Sequence, residues 1–236
     1  MPANVWTRTS LAALLDYSLL TPTATRAEVV DLCARAAELG VCAVCVHPRF
    51  VRLASLELAD TTVGVCTVIG FPLGSASTRT KAFEAKEAVA SGASELDVVL
   101  PVGAIKERDL AAVKEDVAAV VAAGGGEVPV KAILETCYLT EDEIVLACRL
   151  AVTAGASFVK TSTGFGPGGA RVEDVQLMRR TVGLTVGVKA AGGIRTLKDA
   201  LALIDAGASR LGTSHADRIL SQLEAGNGSG NGGAMD

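Results

Sequence analysis

Short runs of apolar residues recur along the chain at a spacing that predicts eight β-strands. Valine, isoleucine and cysteine dominate these runs, as expected for parallel strands that are covered on both faces. The predicted strands are Leu14–Ser18, Val41–Val46, Val63–Ile69, Glu95–Leu100, Val128–Leu134, Phe158–Thr161, Thr185–Ala190 and Ser209–Thr213.

Longer segments that mix apolar and polar residues lie between the strands and predict helices. Two of them open with a threonine followed three residues later by a glutamate, Thr25 with Glu28 and Thr140 with Glu143, which is the pattern of a capping box. Glycines stand where several of these segments should end. The longer predicted helices are Thr25–Leu39, Lys81–Ser91, Lys106–Ala122, Thr140–Thr153, Val172–Thr181 and Thr196–Asp205.

The alternation of eight strands with helices predicts an α/β fold, a single-domain (β/α)8 TIM barrel. A doubly wound open sheet is the alternative, but no G-x-G-x-x-G motif follows the first strand and no Walker-type loop is present. We expect the barrel to occupy residues 1–225. Residues 226–236 are rich in glycine and are expected to form a flexible tail.

Composition and charge narrow the range of partners. The chain has 236 residues, 50% of them hydrophobic, and a net charge of −4, so it can bury a core and carries no basic excess for nucleic acid. No apolar stretch approaches the roughly 20 residues that span a bilayer. The N-terminus lacks the basic and then apolar pattern of a secretory signal. We therefore expect a soluble, cytoplasmic protein that binds neither nucleic acid nor membrane; a homo-oligomer such as a dimer is compatible with the sequence, which does not fix the oligomeric state.

The cysteines and histidines do not predict a metal site. Cys42 and Cys45 form a C-x-x-C pair within a predicted strand. Residues three apart on a strand point to opposite faces, so we expect structural cysteines with free thiols. His47 and His215 are the two histidines, and neither lies in a ligand spacing, so peripheral or structural roles are expected for both.

Charged residues within apolar strands are the strongest functional signal. Asp97, Lys131, Lys160 and Lys189 all lie within or at the end of predicted strands, and the catalytic groups of barrels lie at the carboxyl ends of strands. Lys160 and Lys189 belong to successive strands, which run about 4.8 Å apart, so two inward side chains would be neighbours. One such lysine could merely extend to solvent. Two in succession, each followed by a glycine-containing loop, favour a functional role.

Paired buried lysines suit the formation of a Schiff base with a carbonyl substrate. The nucleophile must be a neutral amine, and both burial and a neighbouring ammonium group favour that form. Asp97 could then transfer protons or act as a buried counter-ion, and the two roles are compatible. Lys131 is expected to support the site by strengthening its cationic field.

Glycine and hydroxyl residues follow each of the last three strands, as Thr163-Gly164, Gly192-Gly193 and Thr213-Ser214. Glycines let backbone N–H groups approach an anion closely, and many barrels bind phosphate after strands seven and eight. Three such loops in succession indicate a phosphorylated substrate.

Six motifs carry a resemblance to a known family and occur in that family's order. They are Leu15-Asp16-Tyr17-Ser18-Leu19-Leu20 with Pro22, Cys45-Val46-His47-Pro48-Arg49, Val68-Ile69-Gly70-Phe71-Pro72-Leu73-Gly74, Glu95-Leu96-Asp97-Val98-Val99, Phe158-Val159-Lys160-Thr161-Ser162-Thr163-Gly164-Phe165 and Val188-Lys189-Ala190-Ala191-Gly192-Gly193-Ile194-Arg195-Thr196. With these motifs the chain resembles the class I deoxyribose-phosphate aldolases over nearly its whole folded length.

The resemblance implies a (β/α)8 barrel that reversibly cleaves 2-deoxy-D-ribose 5-phosphate to acetaldehyde and D-glyceraldehyde 3-phosphate in the breakdown of deoxyribose phosphates. It also implies that the enzyme needs no metal and no organic cofactor. By motif, Lys160 is the Schiff-base nucleophile, Lys189 is the ammonium that favours its neutral form and joins in proton relay, and Asp97 is the proton donor and acceptor paired with Lys189. The residues expected to hold the phosphate are Gly164, Gly192, Gly193, Thr213, Ser214 and Thr163, and the supporting residues are Lys131 and Asp16.

Two features depart from the family pattern. The frequent Asp-His-Thr motif is here Asp16-Tyr17-Ser18, a change that bears on substrate fit. Some members of the family end in a tyrosine that is thought to reach the site and assist proton exchange. The tail of this chain has no tyrosine, so the resemblance does not extend to that role.

Two other functions stay open at this level. A phosphosugar isomerase or epimerase on the same fold would act by proton abstraction and would not need a Schiff-base lysine. A non-catalytic sugar-phosphate binding protein would be expected to lack Lys160 or Asp97, and both are present.

Overall fold

Eight parallel strands close into a barrel in chain order, with the last strand hydrogen-bonded to the first. The structure is a computed structural model that describes residues 6–228, with side chains described for residues 6–225. The strands are β1 Leu15–Leu19, β2 Ala43–Val46, β3 Gly64–Ile69, β4 Glu95–Val99, β5 Val130–Ile133, β6 Phe158–Lys160, β7 Gly187–Ala191 and β8 Arg210–Thr213. The predicted TIM barrel is confirmed.

Helices connect successive strands on the outside of the barrel, and two more precede the first strand and follow the last. They are α1 Arg8–Ala12, α2 Arg26–Leu39, α3 Val51–Glu57, α4 Thr78–Ala90, α5 Val102–Glu107, α6 Leu110–Ala123, α7 Glu141–Thr153, α8 Val172–Val182, α9 Leu197–Asp205 and α10 Ala216–Gly228. Short 3₁₀ helices occur at Pro48–Phe50 and Thr136–Tyr138. Among these residues, no helix has the length and apolar character needed to cross a membrane.

The observed helix ends show which local signals in the sequence were sufficient to predict where a helix begins or ends. The capping boxes predicted at Thr25 and Thr140 are both present. The single predicted helix Lys106–Ala122 is wrong, because the chain forms α5 and α6 with a break between them. Arg108 adopts a left-handed conformation with φ 57°, and the Asp109 carboxylate then caps α6. Nothing in the apolar spacing marks that break.

The predicted flexible tail begins at residue 226, but α10 extends as far as Gly228. Residues 229–236, which make up the rest of the predicted tail, lie outside the described residues. That expectation stays a prediction.

The two faces of each strand differ sharply in character. Outward side chains such as Val98, Ala132, Val159 and Val188 belong to the large apolar core between strands and helices. Inward positions on β1 and on β4 to β8 carry charged side chains, whereas inward positions on β2 and β3 form a small apolar cluster of Ala43, Cys45, Cys66 and Val68. The apolar shell therefore holds the fold, and the barrel interior is free to hold charge.

Candidate active site

Asp97 lies at the centre of a group of buried charged side chains inside the barrel. Its Oδ1 accepts a hydrogen bond from Lys131 Nζ at 2.8 Å, and its Oδ2 accepts from Lys160 Nζ and Lys189 Nζ, each at 2.7 Å. The three lysines come from the consecutive strands β5, β6 and β7, and all are at most 3% exposed. One carboxylate therefore orients three lysine side chains.

Lys160 and Lys189 are direct register partners on β6 and β7, so the predicted proximity of the two lysines is confirmed. Gly212 on β8 makes room for the second of them. A Cβ added at Gly212 would lie 3.2 Å from Cε of Lys189, which is a tight contact against a well-packed side chain. The small residue on β8 thus allows Lys189 to reach Asp97.

Three further charged residues complete the buried group. Lys189 donates a hydrogen bond to Asp16 on β1, and Arg210 on β8 donates to the other oxygen of Asp16 at 2.8 Å. Arg210 also lies 3.3 Å from Glu95, whose Oε2 is 2.7 Å from Lys131 Nζ. Asp16 and Lys131 were predicted from the sequence as supporting residues, whereas Glu95 and Arg210 were not.

The electrostatics of this group fix the charge state of several members. Burial alone would raise the pKa of Asp97, but Lys131, Lys160 and Lys189 together hold that pKa well below its usual range. Burial would likewise lower the pKa of Lys189, yet Asp16 and Asp97 raise it, and Asp97 raises the pKa of Lys131 against burial in the same way. The pKa of Asp16 is lowered, chiefly by Lys189, despite its burial. Near neutral pH both aspartates are therefore carboxylates, and Lys131 and Lys189 are ammonium groups.

A cavity of about 430 Å³ opens at the carboxyl ends of the strands. Lys160 lines it, whereas Lys131, Lys189 and Asp97 are buried and are not part of its lining. Lys160 is thus the member of the buried lysine group that a molecule in the cavity can contact.

All six residues expected to hold phosphate line this same cavity: Thr163, Gly164, Gly192, Gly193, Thr213 and Ser214. The three glycines have positive φ values of 87°, 89° and 80°, a conformation that L-residues with side chains rarely adopt and that leaves the loops open to close approach by a ligand. Helix α10 begins at Ala216, two residues after Ser214. Glycine loops beside a helix N-terminus suit a bound anion.

The two threonine hydroxyls of this set brace the cavity wall. Thr213 Oγ1 donates to the carbonyl oxygen of Ile194 at 2.7 Å and accepts from the His215 N–H at 3.0 Å. Thr163 Oγ1 donates to the Glu135 carboxylate and accepts from the Phe165 N–H at 3.0 Å. These hydroxyls therefore shape the loops on which a ligand would rest.

Glu135 is a buried carboxylate that the sequence reasoning did not single out. It follows β5, its backbone has φ 56°, and it accepts hydrogen bonds from both the backbone N–H and the hydroxyl of Thr163. A non-glycine residue held in the left-handed region is uncommon and persists where surrounding contacts fix it. The rule that drew attention to Asp97, a charged residue at the carboxyl end of an apolar strand, would also have found Glu135.

The cavity lining clarifies the departure at Asp16-Tyr17-Ser18. Ser18 lines the cavity, whereas Tyr17 is buried in the apolar core outside the barrel, where burial raises its pKa. Of these two residues, Ser18 is the one placed to affect the fit of a ligand. Arg195 and His215 also line the cavity, so His215 lies closer to the site than the peripheral role expected for it.

His47 has the structural position expected for it. Its Nε2 lies 2.9 Å from the Leu20 carbonyl oxygen, and its ring meets Phe71 edge-on at a centroid distance of 6.2 Å. Phe71 in turn packs edge-on against Phe165 at 5.3 Å. This aromatic contact chain links the loops that follow β1, β2, β3 and β6.

Two groups of side chains in the described part of the barrel have the spacing of a metal site. In the group of Asp16, Cys66 and Glu95, both carboxylates already pair with Lys131, Lys189 or Arg210. The second group involves Asp97. The ligand atoms of Cys45, Cys66 and Asp97 lie within 4.8 Å of one another, whereas Cys42 does not belong to this group. Both Asp97 oxygens already accept hydrogen bonds from lysines, and Lys131 Nζ also lies 3.3 Å from Cys66 Sγ. A cation there would face several like charges, so these residues do not fit a metal ion.

Comparison with known proteins identifies one family over most of the chain. Residues 12–230 match the family model described as DeoC/LacD family aldolase. The chain is 54% identical over 215 residues to the deoxyribose-phosphate aldolase of Thermoanaerobacter sp. (strain X514), an alignment that covers 90% of this chain and 96% of that protein. It is 53% identical over 221 residues to the deoxyribose-phosphate aldolase of Carboxydothermus hydrogenoformans, covering 92% and 97%.

A solved structure with the same fold agrees with these matches. The deoxyribose phosphate aldolase from Aeropyrum pernix, described as tetrameric, superposes with a TM-score of 0.87 at 34% sequence identity and covers 93% of each chain.

Proposed function

This chain belongs to the DeoC/LacD family of aldolases, and from that premise we propose that it reversibly cleaves 2-deoxy-D-ribose 5-phosphate to acetaldehyde and D-glyceraldehyde 3-phosphate through a Schiff base on Lys160. The isomerase or epimerase and the non-catalytic binding protein, which the sequence left open, are set aside because the family consists of aldolases. The observation that carries the proposal is the position of Lys160, which reaches the cavity while its Nζ contacts Asp97.

The charge inventory of the buried group supports this choice of nucleophile. Four basic side chains face three carboxylates: Lys131, Lys160, Lys189 and Arg210 against Asp16, Glu95 and Asp97. Burial by itself would lower the pKa of Lys131, Lys189 and Arg210, but neighbouring carboxylates raise all three pKa values above their usual range. A neutral Lys160 therefore balances the buried charge, and a neutral amine is the form that attacks a carbonyl.

The proposed reaction assigns a task to each side chain. Lys160 Nζ adds to the aldehyde carbon of the open-chain sugar, and loss of water gives the iminium ion. The C2–C3 bond then breaks as the C3 hydroxyl gives its proton, through water, to the Asp97 carboxylate; D-glyceraldehyde 3-phosphate leaves, and the electron pair forms an enamine. Protonation of the enamine at C2 and hydrolysis of the imine release acetaldehyde and restore the amine.

Lys189 and Asp97 are assigned to the proton transfers. Lys189 is held as an ammonium group beside Lys160. Through water it can protonate the hydroxyl that leaves when the Lys160 adduct becomes the iminium ion, and later the enamine. Asp97 is held as a carboxylate, which favours its roles as acceptor and counter-ion over that of a proton donor near neutral pH. Lys131 and Asp16 keep these two residues in place through ion pairs.

The phosphate is assigned to the glycine-rich end of the cavity. Gly164, Gly192, Gly193 and Ser214 lie there together, and Arg195 adds a positive charge to the same lining. A dianionic phosphate is stabilised by backbone N–H groups and by the N-terminus of a helix. The assignment agrees with the position of α10 directly after β8.

Borohydride trapping tests the Schiff base directly. Protein incubated with acetaldehyde and sodium borohydride should acquire an ethyl group on Lys160, which peptide mass spectrometry locates, whereas protein without acetaldehyde should remain unmodified. A label on Lys131 or Lys189 would contradict the assignment of the nucleophile. Undiminished turnover with no label on any lysine would contradict the mechanism.

Glu135→Gln should weaken binding of the phosphorylated substrate. The amide keeps the size of the carboxylate but replaces one of its two acceptor oxygens with an NH2 group and removes the negative charge, which weakens the anchor of the loop that carries Gly164. A hydrogen bond to a charged group contributes about 1.5–3 kcal/mol, so we expect KM for deoxyribose 5-phosphate to rise about 10-fold or more, with a smaller change in kcat.

Steady-state kinetics check the Glu135 prediction, with Glu141→Gln at an exposed site on α7 as the control. The control should leave KM unchanged. An unchanged KM in Glu135→Gln would show that the carboxylate does not govern the phosphate loop.

Three finer expectations stay predictions. A cytoplasmic role in the breakdown of deoxyribose phosphates accords with the names of the relatives and with the free state of the six cysteines. Independence of metals and organic cofactors follows from the resemblance. The dimer, set against the tetramer described for the Aeropyrum pernix relative, can be examined by analytical ultracentrifugation.

A further inference from the structure

Six charged residues, of which Glu95 and Arg210 are partly exposed and the other four buried, form a closed ring of alternating sign inside the barrel. In order round the ring they are Asp97, Lys131, Glu95, Arg210, Asp16 and Lys189, and the last contacts the first again. The distances between charged atoms are 2.8 Å for Asp97–Lys131, 2.7 Å for Lys131–Glu95, 3.3 Å for Glu95–Arg210, 2.8 Å for Arg210–Asp16 and 2.7 Å for Lys189–Asp97, and Lys189 also pairs with Asp16. We call this set the charge ring.

Lys160 is attached to the charge ring without belonging to it. Among the described residues its one ion pair is with Asp97 Oδ2, whereas each ring member has a partner on both sides. The ring itself carries three positive and three negative charges and is neutral when all six are ionised. The ionised ring therefore adds no net charge beside Lys160.

Titratable and charged groups from seven strands face Lys160 or its immediate partners. They are Asp16 on β1, Cys45 on β2, Cys66 on β3, Glu95 and Asp97 on β4, Lys131 on β5, Lys189 on β7 and Arg210 on β8. Burial raises the pKa of the Cys66 thiol, which leaves it neutral. The hydrogen bond with Cys66 lowers the pKa of the Cys45 thiol, which is therefore the group outside the ring that can also change charge near Lys160.

Glu95 and Arg210 lie at the end of the barrel opposite the cavity. Each is the first residue of its strand, β4 or β8, and neither is part of the cavity lining, where Lys160 at the end of β6 is found. They have no contact with the substrate space. Any effect they have on the reaction must pass through the charges of the ring.

We infer that Arg210 and Glu95 are positioning residues which set, through the charge ring, how readily Lys160 gives up its proton to become a nucleophile. The inference rests on the proposed function, because it concerns the same amine. Without Arg210 the ring carries one net negative charge and stabilises a protonated Lys160. Without Glu95 it carries one net positive charge and favours the neutral amine.

The two residues can be removed separately without orphaning a ring charge. When Arg210 is replaced, Asp16 keeps Lys189 and Glu95 keeps Lys131. When Glu95 is replaced, Lys131 keeps Asp97 and Arg210 keeps Asp16. Since every remaining charge retains a partner, both variants should fold.

The test is the pH profile of the rate at which borohydride traps acetaldehyde on Lys160. Relative to the unaltered protein, Arg210→Gln should move the midpoint to higher pH and Glu95→Gln should move it to lower pH. Each shift should be about one pH unit, the order expected for one charge acting over a short distance inside a protein. The double variant, whose ring is neutral again, should return close to the original midpoint.

Two further variants separate charge from packing. Arg210→Lys retains the charge and should restore the midpoint even if its shorter side chain lowers the maximal rate. Arg8→Gln removes an exposed arginine that pairs with Glu224 on the surface and should leave the midpoint where it was. A purely structural role for Arg210 and Glu95 would lower the rate in both variants without opposite shifts.

The outcomes distinguish this inference from the proposed function. If the unaltered protein is not labelled at Lys160, the proposed function fails. If it is labelled but the two single variants keep the original midpoint or shift in the same direction, the charge ring does not control Lys160 and the inference alone is overturned. Circular dichroism confirms that each variant is folded before its profile is measured.

Discussion

Replacing Lys160 with methionine should lower the turnover of deoxyribose 5-phosphate by at least about 10⁴-fold, because no other lysine in the described barrel lines the cavity. Methionine fills a similar volume, so the cavity wall should be preserved. The same change leaves the charge ring neutral and complete. We therefore expect the melting temperature of the variant to equal or exceed that of the unaltered protein.

Lys81→Met provides a matched control, since Lys81 is another fully buried lysine with a single carboxylate partner. It lies on α4, with its Nζ 2.5 Å from Asp116 and 2.8 Å from the Val99 carbonyl oxygen, outside the barrel interior. Its removal leaves Asp116 buried without its cation and should cost about 3 kcal/mol of stability. Turnover per folded molecule should change little.

Steady-state kinetics and urea unfolding should therefore show opposite effects in the two variants. Lys160→Met loses activity and retains stability, whereas Lys81→Met loses stability and retains activity. If Lys160→Met kept more than about one per cent of the original kcat, another group would have to be the nucleophile.

Asp97→Asn should reduce turnover by roughly 10²–10⁴-fold, the range expected for the loss of a proton-transferring group. The amide keeps the shape of the side chain but removes the negative charge at the junction of three lysines. Because a carboxylate stabilises a protonated lysine, its loss favours the neutral amine at Lys160. The imine should still form, so trapping by borohydride should fall much less than turnover.

Comparing the two rates in Asp97→Asn separates the roles assigned to this residue. A large loss of turnover with persistent trapping supports proton transfer after the imine has formed. Equal losses in both rates would show instead that Asp97 acts by placing Lys160. Asp116→Asn, which removes a buried carboxylate on α6 away from the barrel interior, serves as the control and should leave both rates per folded molecule nearly unchanged.

Local periodicity was enough to predict the barrel, because each element carries its own signal. All eight predicted strands are present, with ends that lie within two residues of those observed. The inward direction of Lys160 and Lys189 was also predictable, because the outward face of a barrel strand packs in the apolar core against the helices and excludes a charged side chain. The break at Arg108 was not, since it depends on one residue adopting a positive φ that no neighbouring residue type demands.

The charge ring could not be predicted, because its contacts join residues far apart in the sequence. Arg210 meets Asp16 across 194 positions and Glu95 across 115. Each of these residues lies at the start of a strand or within one, and the sequence pattern there does not distinguish a buried ion pair from a charge exposed to solvent. Only closure of the barrel, with β8 beside β1, brings them together.

The opposite character of the two faces of each strand has a consequence for how new aldolases could arise from this chain. Substitutions at inward positions leave the apolar contacts between strands and helices untouched, so altered chemistry need not be preceded by stabilising changes elsewhere. The interior imposes a different constraint, which is electroneutrality. Changes that survive selection at Asp16, Glu95, Lys131 or Arg210 should therefore come in compensating pairs on different strands, so that evolutionary paths through this interior proceed two residues at a time.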